Sequence, residues 1–147
     1  MFKVKYDAKK INKLSQKIRK KILDLSFNAG TSSSHFGGAL SSVEIVATLF
    51  FNILDLNKKN FKNINRDRFI LSKGHGCMVY YSILNIIGII SDKKLMSFEK
   101  DNTDLPGHPV KNFDLGIDFS TGSLGMGLSL GVGVALALKK KKIDKRV

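Results

Sequence analysis

The 147 residues are 43% hydrophobic, carry a formal charge of +13 and include one cysteine, Cys77. That length allows one domain or part of one, and the single thiol excludes an internal disulfide and fits a reducing compartment. The excess charge is lysine, 21 against 4 arginines, and Lys, Asn and Ile, all with AT-rich codons, fill 45 positions, so nucleotide bias explains it more simply than a nucleic-acid partner, which favours arginine forks and interleaved aromatics.

No export signal is visible, because Met1 to Lys10 carries lysines with no apolar region behind them. Residues Asp7 or Ala8 to Asn28 predict a helix, with Ile11, Leu14, Ile18, Ile22 and Leu25 recurring at steps of three and four. It stops at Ala29-Gly30. A Ser- and Gly-rich loop, Thr31 to Gly38, follows. Ser41 or Ser42 then offers an N-cap, with Glu44 in the first turn of a helix carrying Val43, Val46, Leu49, Phe50 and Ile53. Asp55 to Asn65 is a polar loop.

Arg68 to Ser72 is short, apolar and bounded by polar residues, which predicts a buried strand. Lys73-Gly74-His75-Gly76 turns into a helix over Cys77–Ile87, ended by Gly88. Ser91-Asp92 caps a short helix through Phe98. Asp101 to Phe119, with both prolines, is irregular. Ser120 to Gly125 is a second glycine-rich loop and opens a helix from about Met126 to Lys139. Gly127, Gly131 and Gly133 weaken that helix by about 1 kcal/mol each unless it packs closely on another element. The longest apolar runs, Val79 to Ile90 and Leu128 to Leu138, fall short of the roughly 20 residues of a membrane helix; a cytoplasmic protein without a membrane partner is expected. Helices with a buried strand predict an α/β layered fold. One strand makes no sheet, so its partners are expected further along a longer chain or on another subunit, and Lys145-Arg146-Val147 reads as the entry to a strand left incomplete.

All three histidines lie in short glycine- or serine-rich motifs: Ser33-Ser34-His35-Phe36-Gly37-Gly38, Ser72-Lys73-Gly74-His75-Gly76 and Leu105-Pro106-Gly107-His108-Pro109. Histidine moves protons near neutral pH, and glycine lets a ligand approach the backbone. With the run Ser120-Thr121-Gly122-Ser123-Leu124-Gly125-Met126-Gly127, the motifs predict a polar ligand site assembled from several loops. His75, before a helix, stands where backbone N–H groups and the helix dipole favour an anion such as a phosphate. Each residue alone has a plainer reading. His108 reads as structural, His35 equally as a loop histidine or a ligand, Ser33 and Ser34 as turn or cap residues, Lys73 as solvated, Asp67 and Arg68 as a structural ion pair, and Cys77 as a small buried apolar residue.

In this order the motifs resemble transketolase, in the first part of its thiamine-diphosphate-binding domain, and most closely the separate N-terminal subunits of split transketolases. The resemblance runs from about Ile11 to Val147 and rests on Ser33-x-His35-x-Gly37-Gly38-x-Leu40-Ser41, Asp67 to His75, Gly107-His108-Pro109 and Ser120 to Ser129. It implies that residues 1–147 are the N-terminal portion of such a domain, a partial thiamine-diphosphate-binding fold with helices packed on a mostly parallel sheet that this chain leaves incomplete. It implies transfer of a two-carbon ketol unit between sugar phosphates. His35 and His108 are the implied catalytic residues, His75, Gly122, Ser123 and Leu124 the implied cofactor contacts, and Ser33, His35 and His108 the implied substrate contacts. Gly122 is expected to leave room for the aminopyrimidine ring.

The resemblance also implies magnesium, held through a Gly-Asp-Gly and a later Asn that this sequence does not contain, so the metal ligands are expected outside this chain. The glutamate that activates the cofactor lies in the family's next, pyrimidine-binding domain. The chain is therefore expected to need that domain or a C-terminal subunit, to form a homo- or hetero-oligomer, and alone to bind cofactor weakly or not at all and to be inactive. Phe36 and Ser34 depart from the family's usual proline and glycine around His35. A non-catalytic truncated remnant, a basic nucleic-acid-binding module and a related ketol-transferring enzyme such as a dihydroxyacetone synthase are the alternatives.

Overall fold

A computed structural model describes residues 5–30 and 35–147. Helix α1 (Ala8–Ala29) begins where the Asp7 side chain accepts from the Lys10 N–H at 2.8 Å. It ends at Gly30, whose φ of 68° suits glycine and whose N–H reaches the Phe27 carbonyl. Its stripe of Ile18, Ile22 and Leu25 is fully buried, against α3 (Val43–Thr48) and α4 (Cys77–Ile86). Every residue of α4 from Cys77 to Leu84 is buried, as a helix apolar on all sides requires.

Helix α2 (Phe36–Leu40) begins inside the segment expected to be a loop, Thr31 to Gly38. Ser42 occupies the N-cap position of α3, but its hydroxyl donates back to the Gly38 carbonyl at 2.9 Å and does not cap the helix. α3 runs on as one π-helical turn, Leu49–Ile53. α5 (Asp92–Leu95) is capped by Ser91 as expected but stops short of Phe98. α6 (Met126–Lys140) matches its expected limits.

The expected parallel sheet is a correction: the described residues contain helices and turns with no strand, and their one β pairing is an isolated antiparallel bridge between Asn112 and Ile117. Residues 68–72 were expected to be a strand because they are apolar. Their burial comes instead from side chains set among helices. The Phe69 ring lies 5.1 Å from those of Phe50 and Tyr80, and Leu71 is buried. A strand also needs a ladder, and this segment's backbone makes one such bond among the described residues, Arg68 N–H to the Arg146 carbonyl at 2.9 Å.

The expected Asp67–Arg68 ion pair is also replaced. Asp67, 2% exposed, accepts from the backbone N–H of Asp55 at 2.8 Å and of Arg146 at 2.9 Å. Arg68 donates to the carbonyls of Arg66 and Ile64. The buried ion pair is Arg66 with Asp118, at 2.6 Å.

α6 packs on the remainder through one edge. Gly127 sits directly on Ser72, in space that a β-carbon could not share, and Leu138 is buried, while Leu128 is 76% and Leu136 62% exposed. No helix among the described residues is long and apolar enough to cross a membrane.

Candidate functional site

Three segments far apart in sequence bring their histidines together. His35 precedes α2 and its carbonyl accepts from the Ala39 N–H at 3.2 Å. His75 lies in a single 3₁₀ turn, Gly74–Gly76, that leads into α4. His108 lies between Gly107 and the buried Pro109. The His35 ring meets those of His75 and His108 edge-on, with centroids 5.4 Å and 5.9 Å apart. His35 and His108 are exposed and His75 is half-buried, so the cluster opens to solvent.

Glycine permits this convergence at two close approaches. A β-carbon on residue 38 would stand 2.7 Å from the His75 Cδ2, so the α2 backbone rests against that imidazole. A β-carbon on residue 74 would stand 2.5 Å from the Thr121 carbonyl oxygen and 2.9 Å from the Gly122 nitrogen. The second glycine-rich loop is thereby seated on the turn that carries His75.

The same loop runs beside the His108 segment. The Thr121 N–H donates to the Pro109 carbonyl at 3.0 Å, and the Lys111 N–H to the Ser120 hydroxyl at 2.9 Å. Gly122 faces the His108 ring. A β-carbon there would meet Cδ2 at 3.4 Å, an ordinary contact. Among the described residues only the His108 ring comes within 4 Å of that point, so the chain's own packing does not require glycine there. Ser123 and Leu124 continue the loop and are exposed, Leu124 by 69%. Ser33 and Ser34 lie outside the described residues. Phe36, the departure beside His35, is the first residue of α2 and is 38% exposed.

Lys73, expected to be solvated, is half-buried and donates from Nζ to the Ser41 hydroxyl at 3.0 Å, tying the His75 turn to the end of α2. Cys77 is 1% exposed, and burial above all, with the Glu99 carboxylate second, pushes its thiol up to about 12. It is a protonated donor, and its Sγ–H reaches the Gly107 carbonyl at 3.1 Å.

Three imidazoles around one opening can hydrogen-bond hydroxyls or phosphate oxygens and exchange protons near neutral pH. They fit a polar ligand. They do not fit a metal: no group of three or more His, Cys, Asp or Glu side chains among the described residues could hold one.

Comparison with known proteins finds relatives over most of the chain. A family profile described as "Transketolase, thiamine diphosphate binding domain" matches residues 12–145. An apulose-4-phosphate transketolase subunit from Actinobacillus succinogenes is 38% identical over 124 residues, covering 84% of this chain and 44% of that protein. The transketolase of Dictyostelium discoideum is 40% identical over 104 residues, covering 70% of this chain and 16% of that one. Among solved structures, the transketolase from Leishmania mexicana superposes with a TM-score of 0.80 at 31% identity, covering 86% of this chain and 19% of that chain. The chain thus spans less than half the length of these relatives.

Proposed function

Because the chain belongs to the transketolase family, in its thiamine-diphosphate-binding domain, we propose that residues 1–147 supply the N-terminal portion of that domain to an enzyme that transfers a two-carbon ketol unit between sugar phosphates. The observation that supports this reading is the meeting of His35, His75 and His108 beside Gly122. When bound, thiamine diphosphate supplies the nucleophilic carbon and the electron sink.

The chain's own residues supply binding and proton transfer. His75, ahead of α4, contacts the diphosphate, where the helix start favours negative charge. Gly122, with Ser123 and Leu124, presents backbone to the aminopyrimidine. His35 and His108, both exposed residues, face the substrate hydroxyls, with Ser33 as a further contact, and pass protons at their imidazole nitrogens. Magnesium would be held by the polypeptide that completes the domain, because this sequence holds no Gly-Asp-Gly and its described residues gather no cluster of three or more His, Cys, Asp or Glu. The same completion brings the pyrimidine-binding domain or C-terminal subunit, in a homo- or hetero-oligomer. The single buried thiol supports a reducing, cytoplasmic setting.

The test is a graft. Residues 12–145 replace the matching segment of the Dictyostelium transketolase, and ketol transfer between sugar phosphates is assayed. An active graft that loses activity with His35→Ala or His108→Ala is the expected result. A folded graft that binds thiamine diphosphate and transfers nothing contradicts the proposal.

A further inference from the structure

The backbone on both sides of His108 is held at four carbonyls. The Leu105 carbonyl accepts from the Glu99 N–H at 3.1 Å, and the Pro109 carbonyl from the Thr121 N–H at 3.0 Å. Between them, the Tyr81 hydroxyl donates to the Pro106 carbonyl at 2.9 Å and the Cys77 thiol to the Gly107 carbonyl at 3.1 Å. The last two donors are side chains, four residues apart on one face of α4. We propose that Cys77 and Tyr81 are positioning residues for His108, fixing its imidazole by holding the two carbonyls that precede it.

This inference rests on the reading of His108 as a working residue of the site. Three observations carry it. His108 is exposed, so core packing does not fix its ring; its place follows from the backbone that bears it. α4 is the most deeply buried helix and carries His75 at its entrance. Donors on α4 therefore reference the His108 segment to the same rigid element that sets His75. Both donors also stay protonated wherever an imidazole titrates. Burial above all, then the Glu99 carboxylate, raises Cys77 to about 12, and Tyr81 is raised further, again chiefly by burial. A thiol is a weak donor and a serine hydroxyl a stronger one, so Cys77→Ser, though its oxygen sits closer to the helix, keeps a donor facing the Gly107 carbonyl that Cys77→Ala removes.

The experiment is two-dimensional NMR of the full chain, following cross-relaxation between imidazole protons. The His35–His108 pair, with ring centroids 5.9 Å apart, is the readout, and the His35–His75 pair at 5.4 Å is the internal reference. Tyr81→Phe and Cys77→Ala are expected to lose the first cross-peak and keep the second, and Cys77→Ser to keep both. A variant that melts cooperatively and keeps both peaks removes its residue from the role. Loss of both peaks with loss of the cooperative melt in Tyr81→Phe assigns that hydroxyl to the fold alone and overturns its part in the proposal. Cross-peaks that behave as stated beside an inactive graft would overturn the catalytic reading and leave the positioning intact.

Discussion

Gly38 lies against His75 so closely that a β-carbon on residue 38 would stand 2.7 Å from the imidazole Cδ2 and 3.0 Å from Nε2. Its neighbour Gly37 has nothing among the described residues within 4 Å of the same point. The two glycines share a helix and differ in what they face. Gly38→Ala is therefore expected to destabilise by about 1–3 kcal/mol through overpacking and to shift the His75 resonances. Gly37→Ala is expected to be neutral or to stabilise by up to about 1 kcal/mol through helix propensity. Urea unfolding of the two variants checks this, and equal effects would contradict it.

Arg66 and Asp118 form the buried ion pair, with side chains 4% and 8% exposed and N···O at 2.6 Å. The guanidinium also donates to the carbonyls of Phe61 and Asp67. Asp118→Ala leaves that charge buried and unpaired, which costs about 3–5 kcal/mol. The exposed Arg19–Glu44 pair, at 40% and 55%, is the control, and Glu44→Ala should cost less than about 1 kcal/mol. Denaturant midpoints decide the comparison.

Alkaline pH should weaken the fold through Cys77. Burial, with the Glu99 carboxylate second, raises the folded thiol to about 12, against about 8.5 in an unfolded chain. The folded chain keeps a proton that the unfolded chain releases. The contribution is thus fully present below pH ~8.5 and is lost as pH rises towards the folded value, at up to about 1.4 kcal/mol per pH unit. Between pH 8 and 10 the wild-type chain should lose about 2 kcal/mol from this group, and Cys77→Ala should lack that loss. Tyr80 and Tyr81, both raised chiefly by burial, add their own losses at higher pH.

α6 presents Leu128, Val132 and Leu136 to solvent at 76%, 52% and 62% exposure. A contiguous apolar surface of this kind binds hydrophobic dyes and promotes association. Leu128→Glu with Leu136→Glu should lower dye binding and light scattering. Unfolding free energy should stay within about 0.5 kcal/mol for each substitution. A large loss of stability would mean that these side chains are packed.

The long helices were legible in the sequence because their signals are local. Asp7 and Gly30 bracket an apolar stripe in α1, and Lys139 and Lys140 close α6. The strand expected at Arg68 to Ser72 failed because a short apolar run reports burial, not the partner that burial will find; Phe69 found Phe50 and Tyr80. α2 was missed because Gly37-Gly38 opposes helix by propensity, and its backbone is instead set against His75. Arg66 with Asp118 left no local trace, the partners being distant in sequence. The histidine motifs were legible as glycine- and serine-rich punctuation, and the structure brings all three imidazoles together. The donors Cys77 and Tyr81, which hold the loop carrying one of them, gave no motif because they act through backbone carbonyls.

The central claim is that His35, His75 and His108 line one place that receives thiamine diphosphate. The direct measurement is a titration of the histidine-labelled chain with thiamine diphosphate and magnesium, following all three imidazoles. The expected result is that the three resonances move together with one shared midpoint, at weak affinity because the described residues gather no cluster of three or more His, Cys, Asp or Glu to hold a metal. Resonances that stay still at high ligand concentration, or one imidazole moving alone, would contradict it.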